Sequence, residues 1–192
     1  MGTTQPIRDK EELKKFVDYY RITQPEPRNY AMTVLGLHTA LRISDILKLR
    51  WKEVYDFERN CFLGHLIILE KKTKKQSVIA LNKHAKEALE QYRLVCKPKP
   101  ENYIFSKKAN FDIPICRSQA YRIIKKAASE TVYDTHISCH SLRKTFGYHA
   151  WKQGISPVLL MEIFNHSSFA VTKRYLGICQ DERDSIFMEI DL

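Results

Sequence analysis

Glycine is scarce in this chain, 6 of 192 residues, and none of the six stands in the G-x-G-x-x-G or Walker-type spacing that cradles a nucleotide phosphate. The acidic residues form no paired carboxylate cluster of the kind that holds magnesium. Five cysteines (Cys61, Cys96, Cys116, Cys139 and Cys179) are odd in number and widely spaced. They contain no C-x-x-C pair, which argues against a zinc ribbon or a dithiol redox motif and for reduced thiols. No apolar run reaches membrane-spanning length, so no membrane partner is expected. The start, Met1 to Pro6, lacks the apolar segment of a signal peptide, and Pro6 sits where a myristoylation signal needs serine or threonine. Internal repeats and low-complexity tracts are absent too. These absences lead us to expect a cytoplasmic protein that uses neither a metal nor an organic cofactor. In that setting the formal glycosylation match Asn165-His166-Ser167 carries no meaning.

What the chain does have is positive charge. Lysine and arginine number 32 against 22 acidic residues, a formal charge of +10, so its surface attracts polyanions, nucleic acid first among them, with a merely soluble basic protein as the alternative reading of charge alone. Binding to DNA should therefore weaken steeply with salt. The hydrophobic fraction of 44% is ordinary for a globular protein, and 192 residues suffice for one well-buried core. A single domain over residues 1–192 is the expectation.

Helical and strand signals alternate unevenly along the chain. Asp9 with Glu12 marks a helix start, followed by Leu13, Phe16, Val17 and Tyr20 at helical spacing. Pro25 and Pro27 interrupt it before a second apolar stretch from about Tyr30 to Leu41. Ser44 is suited to cap a short helix from Asp45 to Leu49, which puts Arg42 at a helix junction. Leu66–Leu69 and Val78–Leu81 are β-prone runs on either side of Lys71-Lys72-Thr73-Lys74-Lys75, predicting a small antiparallel sheet with a basic hairpin. Asn82 is suited to cap a helix running to about Cys96, Ser118 to start one containing Ile123 and Ala127, and Ser141 to cap one ending near Gly154. Ser156-Pro157 restarts helix with proline at its first position, and a weak amphipathic helix is expected from about 181 to 192. The fold class is thus α+β and mainly helical.

Two arginines, two histidines and a tyrosine stand in a suggestive order: Arg42, His140, Arg143, His166 and Tyr175. A phosphodiester repels nucleophiles, and its pentacoordinate transition state gathers further charge on the non-bridging oxygens. Arginine suits that charge because its planar fork donates two hydrogen bonds and stays protonated. Removing one preorganised donor from such a site costs roughly 2.7–4 kcal/mol of transition-state stabilisation. If Ser141 opens a helix, His140 and Arg143, three apart, project from the same helix end.

Four elements occur in sequence: Leu41-Arg42-Ile43-Ser44-Asp45, the lysine turn between two strands, His140-Ser141-Leu142-Arg143, and His166 followed nine residues later by Tyr175. Together they resemble the tyrosine recombinase (phage integrase) family, from about Leu35 to Leu176. That resemblance implies the family's catalytic-domain fold and site-specific DNA recombination (integration, excision or inversion) through a covalent 3′-phosphotyrosyl intermediate. It makes Tyr175 the nucleophile, Arg42 and Arg143 phosphate clamps, His140 a proton-transfer and phosphate-contacting residue, and His166 a phosphate hydrogen-bond donor. Asp45 supports the Arg42 segment. Lys72 is implied as general acid to the leaving oxygen. Here the family's Lys-Thr-Gly-Lys turn reads Lys72-Thr73-Lys74-Lys75, which leaves Lys74 or Lys75 open for that role. Lys71, Lys74, Lys75, Lys144, Lys173 and Arg174 are expected to contact DNA.

The likeness also implies a bacterial or phage-encoded protein, acting as a homo-oligomer, a tetramer on DNA, whose C-terminal helix docks on a neighbouring protomer or packs within its own chain. The family's N-terminal core-DNA-binding domain is expected to be absent, as in an excised catalytic fragment or a small stand-alone recombinase. Two departures are the replacement of glycine by Ala40 and of Leu-Gly by Phe164-Asn165. Two alternative activities share these residues: relaxation of supercoils as in type IB topoisomerases, and catalytically silent DNA binding by an accessory protein.

Overall fold

The structure is a computed structural model that describes residues 4–69, 75–177, 184 and 187–190. Helix α1 (Lys10–Asp18) begins where the Asp9 side chain accepts a hydrogen bond from the Glu12 amide at 2.8 Å, and it buries Phe16. It runs on through a π-helical turn, Tyr19–Thr23, whose Tyr20 hydroxyl donates to the Ile123 carbonyl. Helix α2 (Pro27–Thr39) has proline in its first turn, where a missing N–H costs nothing. It is buried along almost its whole length, which makes it the central helix of the molecule. The short α3 (Ile43–Ile46) has Arg42 at its cap position, so Ser44 lies inside the helix rather than capping it. The physical reason is that the Arg42 carbonyl already accepts the Asp45 and Ile46 amides.

The expected sheet consists of three separate antiparallel ribbons: β1 (Tyr55–Asp56) with β2 (Cys61–Phe62), β3 (His65–Leu69) with β4 (Gln76–Ala80), and β5 (Ser106–Lys107) with β6 (Asn110–Pro114). In β3 the alternation is plain, with Leu66 and Ile68 buried and His65, Ile67 and Leu69 facing solvent. Helix α4 (Lys83–Cys96) is capped by Asn82 as its sequence suggests, through the Ala85 amide. Two starts differ from expectation. Helix α5 (Arg117–Thr131) begins at Cys116 rather than Ser118. Helix α6 (Cys139–Lys152) is capped by Ser138, while Ser141 is the reciprocal partner of a capping box, its hydroxyl accepting from the Ser138 amide at 3.0 Å. Helices α7 (Pro157–Ile163), capped by Ser156, and α8 (Phe169–Leu176), capped by Ser168, complete the described chain. Of the expected helix over 181–192, residues 184 and 187–189 are helical and Ile190 is not, and the remaining positions lie outside the described residues.

The apolar interior divides in two. The larger core gathers Phe16, Leu35, Trp51, Leu89, Phe105 and Ile124 around α2. A smaller one joins Ala40, Tyr148, Leu160, Phe164 and Leu176, with Tyr175 packed at its margin. Helix α6 feeds both, through Leu142 and Tyr148 respectively. Gly147 permits the close approach there: a Cβ at that position would lie 2.5 Å from Leu176 Cδ2 and 2.6 Å from Phe164 Cζ. Any larger residue would drive α7 and α8, and with them Tyr175, away from α6. Among the described residues, no helix is long and apolar enough to cross a membrane.

Candidate active site

The site forms where the end of α2, the first two turns of α6, the α7–α8 connection and α8 converge on the smaller core. Helix α2 terminates at Ala40, whose φ of 55° is left-handed, and the chain then turns to place half-buried Arg42 at the start of α3. A residue with a Cβ is strained there by about 1–2 kcal/mol, which explains why glycine suits this position. What holds the strain is Arg143. The residue is 3% exposed; its guanidinium donates through Nη1 to the Ala40 carbonyl and through Nη2 to the Phe164 carbonyl at 2.9 Å. The same group stacks over the Phe164 ring, 4.7 Å from its centroid. Arg143 therefore ties the Arg42 segment to the α7–α8 connection as well as offering charge to the site.

Asn165 follows with φ 51°, the second left-handed position, and asparagine tolerates that conformation better than most residues with a Cβ. The turn presents His166, whose backbone amide donates to the Met161 carbonyl and whose Nδ1 lies 3.0 Å from Thr172 Oγ1. Thr172 is fully buried and lies three residues before Tyr175 on α8. It was not singled out from sequence, although its i,i+3 relation to the tyrosine was the available signal.

Tyr175 sits between the two histidines. Its ring is 5.1 Å from that of His140 at 84° and 4.9 Å from that of His166 at 73°, both edge-to-face, with Phe164 at 5.4 Å behind. The hydroxyl oxygen is buried and completes no hydrogen bond of ordinary geometry. Burial pushes the phenol up to about 12, against the opposing pull of Arg143, through its charge and a weak hydrogen bond, and of the Arg42 charge. His140, although its residue as a whole is exposed, has its imidazole pushed down to about 4. Loss of solvent around the ring is the larger cause, followed by Arg143, Lys144, Arg42 and His166. The structure thus brings Arg42, His140, Arg143, His166 and Tyr175 into one electropositive pocket, with a neutral imidazole beside a protonated phenol at neutral pH. Asp45 is buried in the first turn of α3, next to Arg42.

The expected DNA-contacting side chains divide. Lys71, Lys72 and Lys74 lie outside the described residues. Lys75 is exposed at the foot of β4, and Arg174 is exposed on α8. Lys173 is half-buried with its ammonium 5.3 Å over the Phe169 ring. Lys144 departs from expectation: it is 5% exposed, because its ammonium donates to the Thr4 carbonyl at 2.6 Å and lies 5.1 Å over the Tyr175 ring. It faces the nucleophile candidate, not solvent. No group of three or more histidine, cysteine, aspartate or glutamate side chains that could hold a metal ion occurs among the described residues.

The family model described as Phage integrase family matches residues 8–181, a span that contains every residue of this pocket. The chain belongs to the phage integrase family. Its relatives include the probable integrase/recombinase YoeC of Bacillus subtilis, 37% identical over 94% of this chain and 93% of that protein. A tyrosine recombinase of Pseudothermotoga lettingae is 27% identical over 90% of this chain and 56% of its own length. This phage integrase family chain therefore spans nearly all of one curated relative and little more than half of the other. Among solved structures, XerA recombinase superposes with a TM-score of 0.74 at 18% identity, covering 97% of this chain and 66% of that one. XerH recombinase in its post-cleavage complex with a palindromic difH substrate gives 0.75 at 18% identity, covering 97% and 54%. The fold is the catalytic-domain fold of the tyrosine recombinases, α+β and mainly helical, as the sequence signatures lead one to expect.

Proposed function

We propose that this chain breaks and rejoins double-stranded DNA at specific sites through a 3′-phosphotyrosyl bond to Tyr175. The observation that carries the reading is the position of the Tyr175 hydroxyl, buried between the His140 and His166 rings within the field of Arg143 and Arg42. In the proposed step the phenol oxygen attacks phosphorus, the P–O5′ bond breaks, and the departing oxygen takes up a proton. Lys72, or Lys74 or Lys75 of the same turn, is the proposed proton donor. Attack by a 5′-hydroxyl of a partner strand reverses the sequence, releases the tyrosine, and conserves the phosphodiester bond energy.

The phenol's high pKa means that its proton must leave as attack proceeds. His140 is neutral at pH 7 and so able to accept it, though burial first and the surrounding cations second make it a weak base. A bound phosphate changes that balance. Its negative charge offsets Arg42 and Arg143, which raises the basicity of His140 when substrate is present. The pentacoordinate transition state carries more charge on its non-bridging oxygens than the bound phosphate does, so the two guanidiniums stabilise it more than the ground state. Arg143 is preorganised for this by its two carbonyl partners, so little reorganisation accompanies phosphate binding.

The formal charge of +10 supports DNA as the substrate. We further propose that the protein works as an oligomer on that DNA, a tetramer in the complete reaction, in the bacterial cytoplasm. Exposed Val158 and Leu159 on α7 and Phe169 and Val171 on α8 supply an apolar strip suited to a neighbouring protomer. The solved fold neighbours include a λ integrase dimer bound to a core site. The test is covalent capture. A nicked duplex whose cleavage releases a short oligonucleotide traps the protein on DNA, and denaturing gels then read the adduct. Intact protein should accumulate adduct at Tyr175; a stable non-covalent complex with no adduct would instead identify a silent DNA-binding module.

A further inference from the structure

We propose that the segment Thr4–Arg8 and the side chain of Lys144 form a clamp that positions Tyr175, an inference that rests on the functional reading above. Six contacts run from this segment across α6 to the end of α8. The Gln5 amide donates to the His136 carbonyl, just before α6, at 3.3 Å. The Thr4 carbonyl accepts the Lys144 ammonium at 2.6 Å, the Ile7 amide donates to Thr145 Oγ1 at 2.9 Å, and the Ile7 carbonyl accepts from His149 Nε2 at 2.9 Å. Arg8 reaches furthest, from above the Tyr148 ring at 5.5 Å to the Gly177 carbonyl at 3.4 Å.

Lys144 and Gly177 bracket the nucleophile. Gly177, φ 70°, caps the helix two residues beyond Tyr175, and a Cβ there would stand 2.8 Å from Arg8 Nη2, so its lack of a side chain gives the arginine its path. Lys144 places a buried cation on one face of the Tyr175 ring while the two histidines meet it edge-on. A desolvated ammonium over an aromatic face is a strong contact of its class. It is also directional, because sliding the ring sideways loses the attraction. The Thr4 carbonyl fixes the ammonium from the other side, so displacement of the N-terminal segment frees the lysine and with it the ring. Lys144 is thus a positioning residue for the tyrosine, acting through the ring and not on the reacting phosphate. The N-terminal segment gives whatever precedes it in a longer relative a mechanical path to the nucleophile.

The test separates binding, cleavage and local order. In wild-type protein and the variants Lys144→Met, Lys144→Arg and Arg8→Gln, we would measure affinity for an uncut target duplex and the single-turnover rate of adduct formation on the nicked duplex. Lys144→Met should bind DNA as wild type does but form adduct about tenfold more slowly. Lys144→Arg should restore most of the rate, because it keeps a cation over the ring. Without DNA, trypsin should cut after Lys173 and Arg174 faster in Lys144→Met and Arg8→Gln than in wild type, with cuts elsewhere unchanged apart from the site that each substitution removes. Wild-type rates of both adduct formation and local proteolysis in Lys144→Met and Arg8→Gln would overturn the clamp and leave the functional reading standing. A wild-type protein that forms no adduct would overturn that reading and the role of the clamp together.

Discussion

Replacing Tyr175 with phenylalanine should stabilise this protein while abolishing its chemistry, and the sign of the first effect is the sharper test. At most buried tyrosines the hydroxyl is hydrogen-bonded, and its removal costs about 1 kcal/mol. At Tyr175 the oxygen is buried, and the polar group beside it is the Arg143 guanidinium, near enough to lower the phenol's pKa by hydrogen bonding but short of ordinary hydrogen-bond geometry and shared with two carbonyls. An uncompensated buried hydroxyl carries a desolvation penalty of about 1–3 kcal/mol. The nearby positive charge offsets part of it, so the lower end of that range applies. The ring contacts with His140, His166 and Phe164 survive the substitution, since they involve the ring and not the oxygen. A gain of about 1 kcal/mol corresponds to a rise in melting temperature of about 2–4 °C for a domain of this size. Thermal unfolding followed by circular dichroism, in protein free of DNA, measures it directly. The same variant should bind target duplex normally and form no covalent adduct on a nicked substrate. A fall in melting temperature would show that the hydroxyl is well bonded in the resting protein and would refute the picture of a nucleophile held in reserve at an energetic cost.

Three other outcomes follow from the same geometry. Arg143→Ala should strand the Ala40 and Phe164 carbonyls, at about 1–3 kcal/mol each, and lower the melting temperature on the order of 10 °C; a wild-type melting curve would refute the structural half of its role. His140 binds a proton less readily folded than unfolded, so between its folded pKa of about 4 and the ordinary histidine value the unfolded chain holds more protons and stability falls as pH falls. Denaturant titrations of His140→Gln across that window should show a shallower loss than wild type, and parallel curves would contradict the assignment. Ala40→Gly should relieve the left-handed strain, partly cancelled by greater freedom in the unfolded chain, for a net gain of about 0.5 kcal/mol and a melting temperature higher by about 1–2 °C; a lower melting temperature would show that the strain is not felt.

Arg143 illustrates how one residue carries structure and chemistry at once. Its buried guanidinium joins two segments far apart in sequence, and the phosphate it is proposed to meet arrives at a group already fixed in place. Loss of activity on its removal therefore mixes a folding defect with a catalytic one. Arg143→Lys, which keeps the charge and loses the fork, is the more informative substitution.

Much of this protein was legible in its residues because the signals are local or depend on order alone. The caps at Asp9, Asn82 and Ser156, the proline opening α7, and the alternation of β3 follow from chemistry within a few residues of chain. The order of Arg42, His140, Arg143, His166 and Tyr175 survives any folding, so the family likeness is readable before the fold is known. Cap choices at Ser44, Ser118 and Ser141 missed because several residues near each helix start are able to cap it, and the backbone path into the helix selects among them. Tertiary structure alone decided the fate of Lys144. Its sequence neighbours suggest a basic surface residue, but the arrival of Thr4 from 140 positions away and the packing of α8 on α6 turn it inward over the tyrosine ring. Burial, and with it the opposite pKa displacements of His140 and Tyr175, is a property of what packs around a side chain, and no local stretch of sequence contains it.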